Sequence, residues 1–310
     1  MQPALEVLGL LIGFLLLMKG ASVFVDASVN IAKKLNIPKA VIGLTVVALG
    51  TSAPEAMISI SAAVNGSNAM AIGNVIGSNI LNLLLIVGLC AVFAPISVKV
   101  KEISRDFWVS VGAIVALFLM KAFFSDVIPR VASLALLTVF ICYMTILVLQ
   151  TLKTRAPEEE NTAPKPLGRS IFLSVFGAGL IVAGGQLTVV NAVNIAFTLG
   201  ITERIVGLTI LAVGTSLPEL ITSLVACKKG QNDLAIGNII GSNIFNIMFV
   251  LGLSGIVMPL AIDSNLLFDI IVLALSSLAF LLFATTGKKI VRLEGLSMVM
   301  MYAFYMVVII

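Results

Sequence analysis

Two carboxylates carry the chemistry open to this sequence. Glu55 and Glu219 close the tracts Gly50-Thr51-Ser52-Ala53-Pro54-Glu55 and Gly214-Thr215-Ser216-Leu217-Pro218-Glu219, each inside an apolar stretch of membrane-span length. A carboxylate in the middle of a bilayer is costly and marks a functional site. Ala48, Thr51, Ser52, Glu55 and Ser59 recur at helical spacing and share one face. Pro54 and Pro218 lack an N–H, so the carbonyls of Gly50 and Gly214 lose their helical partners. Such oxygen is tolerated in lipid only where it lines a cavity or faces protein. Hydroxyls, carboxylates and loosened carbonyls are the donors that Ca2+ and Na+ take, so the expected passenger is a cation. The spacing Ser52-x-x-Glu55, repeated as Ser216-x-x-Glu219, also fits a capping box, in which each Glu only satisfies a helix start.

A second pair of tracts adds amides. Asn74, Ser78 and Asn82 stand four apart on one face, and Asn238, Ser242 and Asn246 repeat them; Asn79 points elsewhere. For Asn74 and Asn238 the expected role is hydrogen bonding between helices, a role that also competes for Ser78 and Asn82. Gly73 and Gly77 form a small-xxx-small pair expected to admit a neighbouring helix.

These residues need helices to hold them, and the composition says where those helices live. Of 310 residues 60% are hydrophobic and 11% charged, and the mean hydropathy is +1.16. That much apolar surface belongs in lipid. Runs of about twenty apolar residues predict ten spans, near 4–30, 39–63, 69–93, 107–124, 128–152, 169–196, 203–227, 234–258, 264–284 and 290–310. With the N-terminus outside, the odd loops hold 15 of the 19 Lys and Arg residues, among them Lys34, Lys101, Arg155, Lys229 and Lys288; the even loops hold Lys121, Arg130 and Arg204. Basic residues favour the cytoplasmic side, so both termini are expected to be extracellular in a multi-pass protein of the cell membrane. The net charge of +4 reflects this placement and does not point to nucleic acid. The first apolar run has no basic start, so a cleaved signal peptide is not expected. Cys90, Cys142 and Cys227 match no metal spacing and read as small packing residues. Glu6, Lys19 and Asp26 have no charged counterparts in the repeat and read as snorkelling residues.

The repeat runs far beyond the hexapeptide. An offset of 164 residues maps Glu55 to Glu219, Ala71-Ile72-Gly73-Asn74 to Ala235-Ile236-Gly237-Asn238, Pro95 to Pro259 and Gly20 to Gly184. The expected architecture is an all-α integral membrane protein: a five-helix half over 1–152, a linker over 153–168, and a second half over 169–310. An odd number of spans per half inverts the second half relative to the first, and inverted repeats of this kind place a transporter's site at their interface. The linker, with Glu158-Glu159-Glu160 and three prolines, reads as a solvated flexible segment.

The tracts GTSAPE with GNVIGSNILN, and GTSLPE with GNIIGSNIFN, resemble the two alpha-repeats of sodium/calcium exchangers and their relatives in the Ca2+/cation antiporter superfamily. The resemblance covers nearly the whole chain, with the alpha-repeats at about 37–98 and 201–262. It implies ten transmembrane helices and ligands at Thr51, Ser52, Glu55, Ser78 and Asn82, with Thr215, Ser216, Glu219, Ser242 and Asn246 in the second half. It implies sodium ligation by the backbone carbonyls of Ala48 and Ala212. It further implies that Glu55 and Glu219 bind one Ca2+, that Na+ competes for some of the same oxygens, and that the first and sixth spans slide across the core, with Gly20 and Gly184 as contact points. Transported Ca2+ and Na+, with membrane lipid as surroundings, are the expected ligands; no cofactor and no obligate protein partner is expected. Asn246 stands where potassium-dependent relatives tend to carry an acidic residue, which disfavours potassium coupling. Proton/calcium antiport by the same fold stays open. A cation channel fits a pair of broken helices less well than alternating access does. The complete lack of His excludes H-E-x-x-H zinc sites and Ser–His pairs, and with them intramembrane hydrolases of those kinds.

Overall fold

In lipid a chain must satisfy its own backbone, so the apolar runs fold as helices. The computed structural model of the chain describes residues 2–124, 127–153, 166–201, 206, 210, 212–261, 266–287 and 289–309. The first half contains α1 (Gln2–Leu35), α2 (Lys39–Thr51), α3 (Ala53–Val64), α4 (Met70–Phe93), α5 (Val100–Phe123) and α6 (Arg130–Lys153). The second contains α7 (Leu167–Thr198), α8 (Ala212–Thr215), α9 (Leu217–Lys228), α10 (Asn232–Val257), α11 (Leu266–Thr286) and α12 (Arg292–Ile309). Among the described residues eight helices are long and apolar enough to cross a membrane, and the bent pair α2–α3 makes up to nine. The seventh expected span, 203–227, falls partly outside the described residues; its described remainder is α8 and α9, separated at Ser216 as α2 and α3 are at Ser52. The linker expected over 153–168 also lies largely outside them, as does Lys288.

Most of α4 and α10 is buried, whereas a third or less of each outer helix is. The two helices bearing the Asn-Ser tracts therefore form the centre, and the six long outer helices, α1, α5, α6, α7, α11 and α12, are largely exposed around it. Each central helix carries a π turn, Asn82–Ile86 in α4 and Phe245–Val250 in α10, and α2 carries a third at Gly43–Val47. Such single π turns recur at functional sites. Each central helix ends before a proline: Ala94 and Met258 are extended, as the residue before proline must be, and Pro95 and Pro259 lead into short strands. These strands, which the helical pattern did not predict, cross between halves. β1 (Ile96–Ser97) pairs antiparallel with β4 (Lys289–Ile290), and β2 (Val127–Ile128) with β3 (Leu260–Ala261).

α1 spans about 51 Å at 1.5 Å per residue, against a hydrocarbon core of about 30 Å. It packs along α7, which is similarly long. A Cβ on Gly20 would fall 2.8 Å from Leu180 Cβ, and one on Gly184 2.6 Å from the Leu17 backbone nitrogen, so both expected contact points are contact points. The close approach expected at Gly73 and Gly77 is not seen there among the described residues; it occurs at their second-half counterparts. A Cβ on Gly237 would fall 2.3 Å from the Ala40 carbonyl oxygen, and one on Gly241 2.7 Å from Leu44 Cα. Nothing among the described residues lies within 4 Å at Gly73 or Gly77, whose counterpart neighbours, 204 and 208, lie outside the described residues.

Polar contacts fasten the periphery. The Tyr143 hydroxyl of α6 lies 3.0 Å from Asp106 of α5, and the Tyr305 hydroxyl of α12 lies 3.2 Å from Asp269 of α11. Lys229, just beyond α9, donates to Asp26 at 2.7 Å and to the Ser22 carbonyl at 3.0 Å, tying the second half to α1. Asp26 is exposed, as a snorkelling residue should be, but it is paired. Cys90 and Cys227 are buried and Cys142 is exposed; all three are free thiols.

Candidate cation site

The two breaks bring the hydroxyl–carboxylate tracts to the centre. Ser52 (φ −83°, ψ 5°) and Ser216 (φ −92°, ψ 8°) leave helical geometry, and α2 and α3 meet at 50°. Pro54 and Pro218 sit in the first turn of the following helix, where the missing N–H costs nothing. The capping-box reading fails: neither serine side chain bonds its own helix start. Each reaches into the other half instead. The Ser52 hydroxyl donates to Glu219 Oε1 at 2.6 Å and lies 2.9 Å from Ser242 Oγ, while Ser216 Oγ lies 3.2 Å from Ser78 Oγ.

The amides show the same reciprocity. Asn74 donates to Ser59 at 2.9 Å and Asn238 to Ser223 at 3.0 Å, each bracing two helices of its own half. Thr51 Oγ1 lies 3.2 Å from Asn238 Oδ1, and Thr215 Oγ1 lies 3.5 Å from Asn74 Oδ1. The helix-bonding role expected of Asn74 and Asn238 is the one observed.

Asn79 and Asn243 were missed as part of the site. Both are fully buried between the halves. Asn82 Nδ2 donates to Asn243 Oδ1 at 3.0 Å, and Asn246 Nδ2 donates to Asn79 Oδ1 at 3.3 Å. Asn79 Nδ2 in turn donates to the Asn243 carbonyl at 3.2 Å. Their duplication at the 164 offset was the available signal, set aside because they lie off the face of Ser78 and Asn82.

These bonds fix what is left over. With their nitrogens committed, Asn82 and Asn246 keep Oδ1 atoms that are buried and without a donor. So are both carboxylate oxygens of Glu55 and Oε2 of Glu219. Glu55, Glu219, Thr51, Ser52, Ser216, Ser242 and Asn246 are fully buried, and Thr215, Ser78 and Asn82 nearly so. A buried acceptor with no donor is destabilising, and several together call for an electropositive partner. Hard cations take oxygen ligands of this kind. Among the described residues no three His, Cys, Asp or Glu side chains converge, so a cation here would rest on two carboxylates and neutral oxygens. The Ala48 carbonyl accepts the Ser52 N–H at 2.9 Å and also the Thr51 hydroxyl at 3.4 Å. In the second half the Ser216 N–H goes to the Val213 carbonyl at 3.2 Å, so the Ala212 carbonyl is not engaged in that way.

Known proteins share this sequence and fold. A family model described as "Sodium/calcium exchanger protein" matches residues 5–149 and 169–310. A relative from Alkalimonas amylolytica, CaxA, provisionally named an antiporter, is 39% identical over 307 residues, 95% of each chain. "Sodium/calcium exchanger MaX1" of Methanosarcina acetivorans is 35% identical over 340 residues, 97% of each chain. A solved structure of the sodium-calcium exchanger NCX_Mj superposes with a TM-score of 0.84 at 33% identity, covering 98% of both chains. With both halves matched in sequence and nearly the whole chain in structure, this protein is a member of the sodium/calcium exchanger family.

Proposed function

We propose that the chain exchanges Na+ for Ca2+ by alternating access at the site between Glu55 and Glu219. The observation that carries this reading is the set of buried, donor-free oxygens on Glu55, Glu219, Asn82 and Asn246, two residues from each half. Two carboxylates match the charge of one Ca2+. Sodium ions using the same carboxylates together with Thr51, Ser52, Ser78, Thr215, Ser216, Ser242 and the carbonyls of Ala48 and Ala212 would displace it. The names of MaX1 and NCX_Mj support the choice of ions. Ten spans in two inverted halves, with both termini extracellular, complete the reading. The repeat offset, the basic loops and the fold shared with NCX_Mj support it.

One observation favours a second coupling ion. Both carboxylates keep buried oxygens without a donor, and a proton needs the same oxygens as a cation does. Calcium uptake into proteoliposomes separates the readings. A sodium gradient at symmetric pH should drive uptake; uptake driven only by a pH gradient would replace sodium with protons.

A further inference from the structure

A groove of 740 Å3 opens on the lipid face between α11 and α12, floored by Leu84 of α4. It exists because α12 packs on α4 and scarcely touches α11. Its α12 wall is one stripe that includes Leu293, Leu296, Met300 and Phe304. The polar groups in its lining are spent elsewhere: Ser276 donates to the Val272 carbonyl, Ser297 to the Glu294 carbonyl and Tyr305 to Asp269. The stripe from Leu293 to Val308 is about 22 Å long at 1.5 Å per residue, more than one leaflet's half of a roughly 30 Å hydrocarbon core.

Charge marks one end. Lys289 and Arg292 are exposed where the stripe begins, and among the described residues neither forms an ion pair. The acid nearest in sequence, Glu294, is already taken by the Val291 N–H at 2.8 Å and the Thr286 hydroxyl at 3.3 Å. We propose that the groove is a lipid site, holding one acyl chain of an anionic glycerophospholipid whose phosphate rests on Lys289 and Arg292. The apolar lining selects a chain, and the basic rim selects the headgroup. A floor at Leu84 puts that chain against the π turn that begins at Asn82.

The test is native mass spectrometry of the full chain released from nanodiscs of equal phosphatidylglycerol and phosphatidylcholine. Each basic residue near a membrane surface is worth roughly a fivefold preference for anionic lipid, so the pair should favour phosphatidylglycerol about thirtyfold. The double variant Lys289→Gln/Arg292→Gln changes only exposed side chains, and it should retain lipid but lose the preference. Met300→Trp, filling the groove, should lower retention of both lipids. Glycerol phosphate, a headgroup without tails, should displace neither. Equal retention of the two lipids by the native chain overturns the proposal, as does a double variant that keeps the preference. Displacement by glycerol phosphate would reduce the site to a bare phosphate contact and overturn the acyl groove.

Discussion

Glu55 and Glu219 are the same residue in two copies, yet they are held differently. Glu219 accepts the Ser52 hydroxyl, while both oxygens of Glu55 lack a donor. Glu55→Gln and Glu219→Gln each remove one charge from a buried divalent site. Either should cut calcium exchange in proteoliposomes by roughly a hundredfold or more, the scale set by unbalancing a buried charge. Near-native exchange by either purified variant would sink the assignment. The second prediction concerns residues that touch no cation in this reading. Asn79 and Asn243 hold the amides that aim Asn246 Oδ1 and Asn82 Oδ1, and supporting residues of that kind are typically worth about 10- to 100-fold in metal affinity. Asn79→Ala and Asn243→Ala should therefore raise the calcium concentration for half-maximal uptake by about that factor. An unchanged calcium dependence would make them structural only. These two were the hardest residues to read in the sequence. A helical wheel of ideal pitch puts Asn79 off the site face, and partners across a pseudo-symmetric interface have no sequence proximity to betray them.

At the scale of elements, close approach between helices is the property most easily broken. α2 and α10 meet where a Cβ on Gly237 would overlap the Ala40 carbonyl oxygen, which is backbone and cannot swing aside. Gly237→Ala should destabilise by about 1–3 kcal/mol, the usual scale of overpacking, and lower the melting temperature in detergent; an unshifted melt would show that α2 is free to move. Much at this scale was legible. Apolar length gave the helices, and Pro54 and Pro218 marked the breaks to within two residues. The π turns were not legible, because one inserted residue leaves the apolar pattern nearly unchanged. Nor were the strands, two residues each and specified by the chain they cross to. At one corner Lys99 donates to Asp233 at 2.8 Å, and that bond is the main cause holding the ammonium pKa above its usual value. The pair therefore persists through neutral pH and, on the alkaline side, is lost as pH rises past the raised value. Being exposed, it contributes little.

For the whole molecule, the distribution of Lys and Arg makes the sharpest prediction. Cysteines placed at positions 34 and 229 in intact cells should resist an impermeant thiol reagent added outside, and one at the N-terminus should react. Labelling of both 34 and 229 from outside would overturn the orientation. The 164-residue offset made the pairing of halves readable in advance, since a duplicated polar tract in lipid has to answer to something. The exchanged bonds between the copies could not be read, because they depend on how the halves face one another.

Those exchanged bonds have a consequence for how the chain could be assembled. Ser52 reaches Ser242 while Ser216 reaches Ser78; Asn82 reaches Asn243 while Asn246 reaches Asn79. Contacts in which i meets j and j meets i are the signature of an isologous interface, the kind that joins two identical subunits. On the proposed reading of two inverted halves, the chain is a dimer written as one polypeptide. Residues 1–152 and 169–310, co-expressed as separate chains, should find one another through this interface and recover sodium-driven calcium uptake, while either alone should show none. Failure to copurify would mean that the tether is part of the fold.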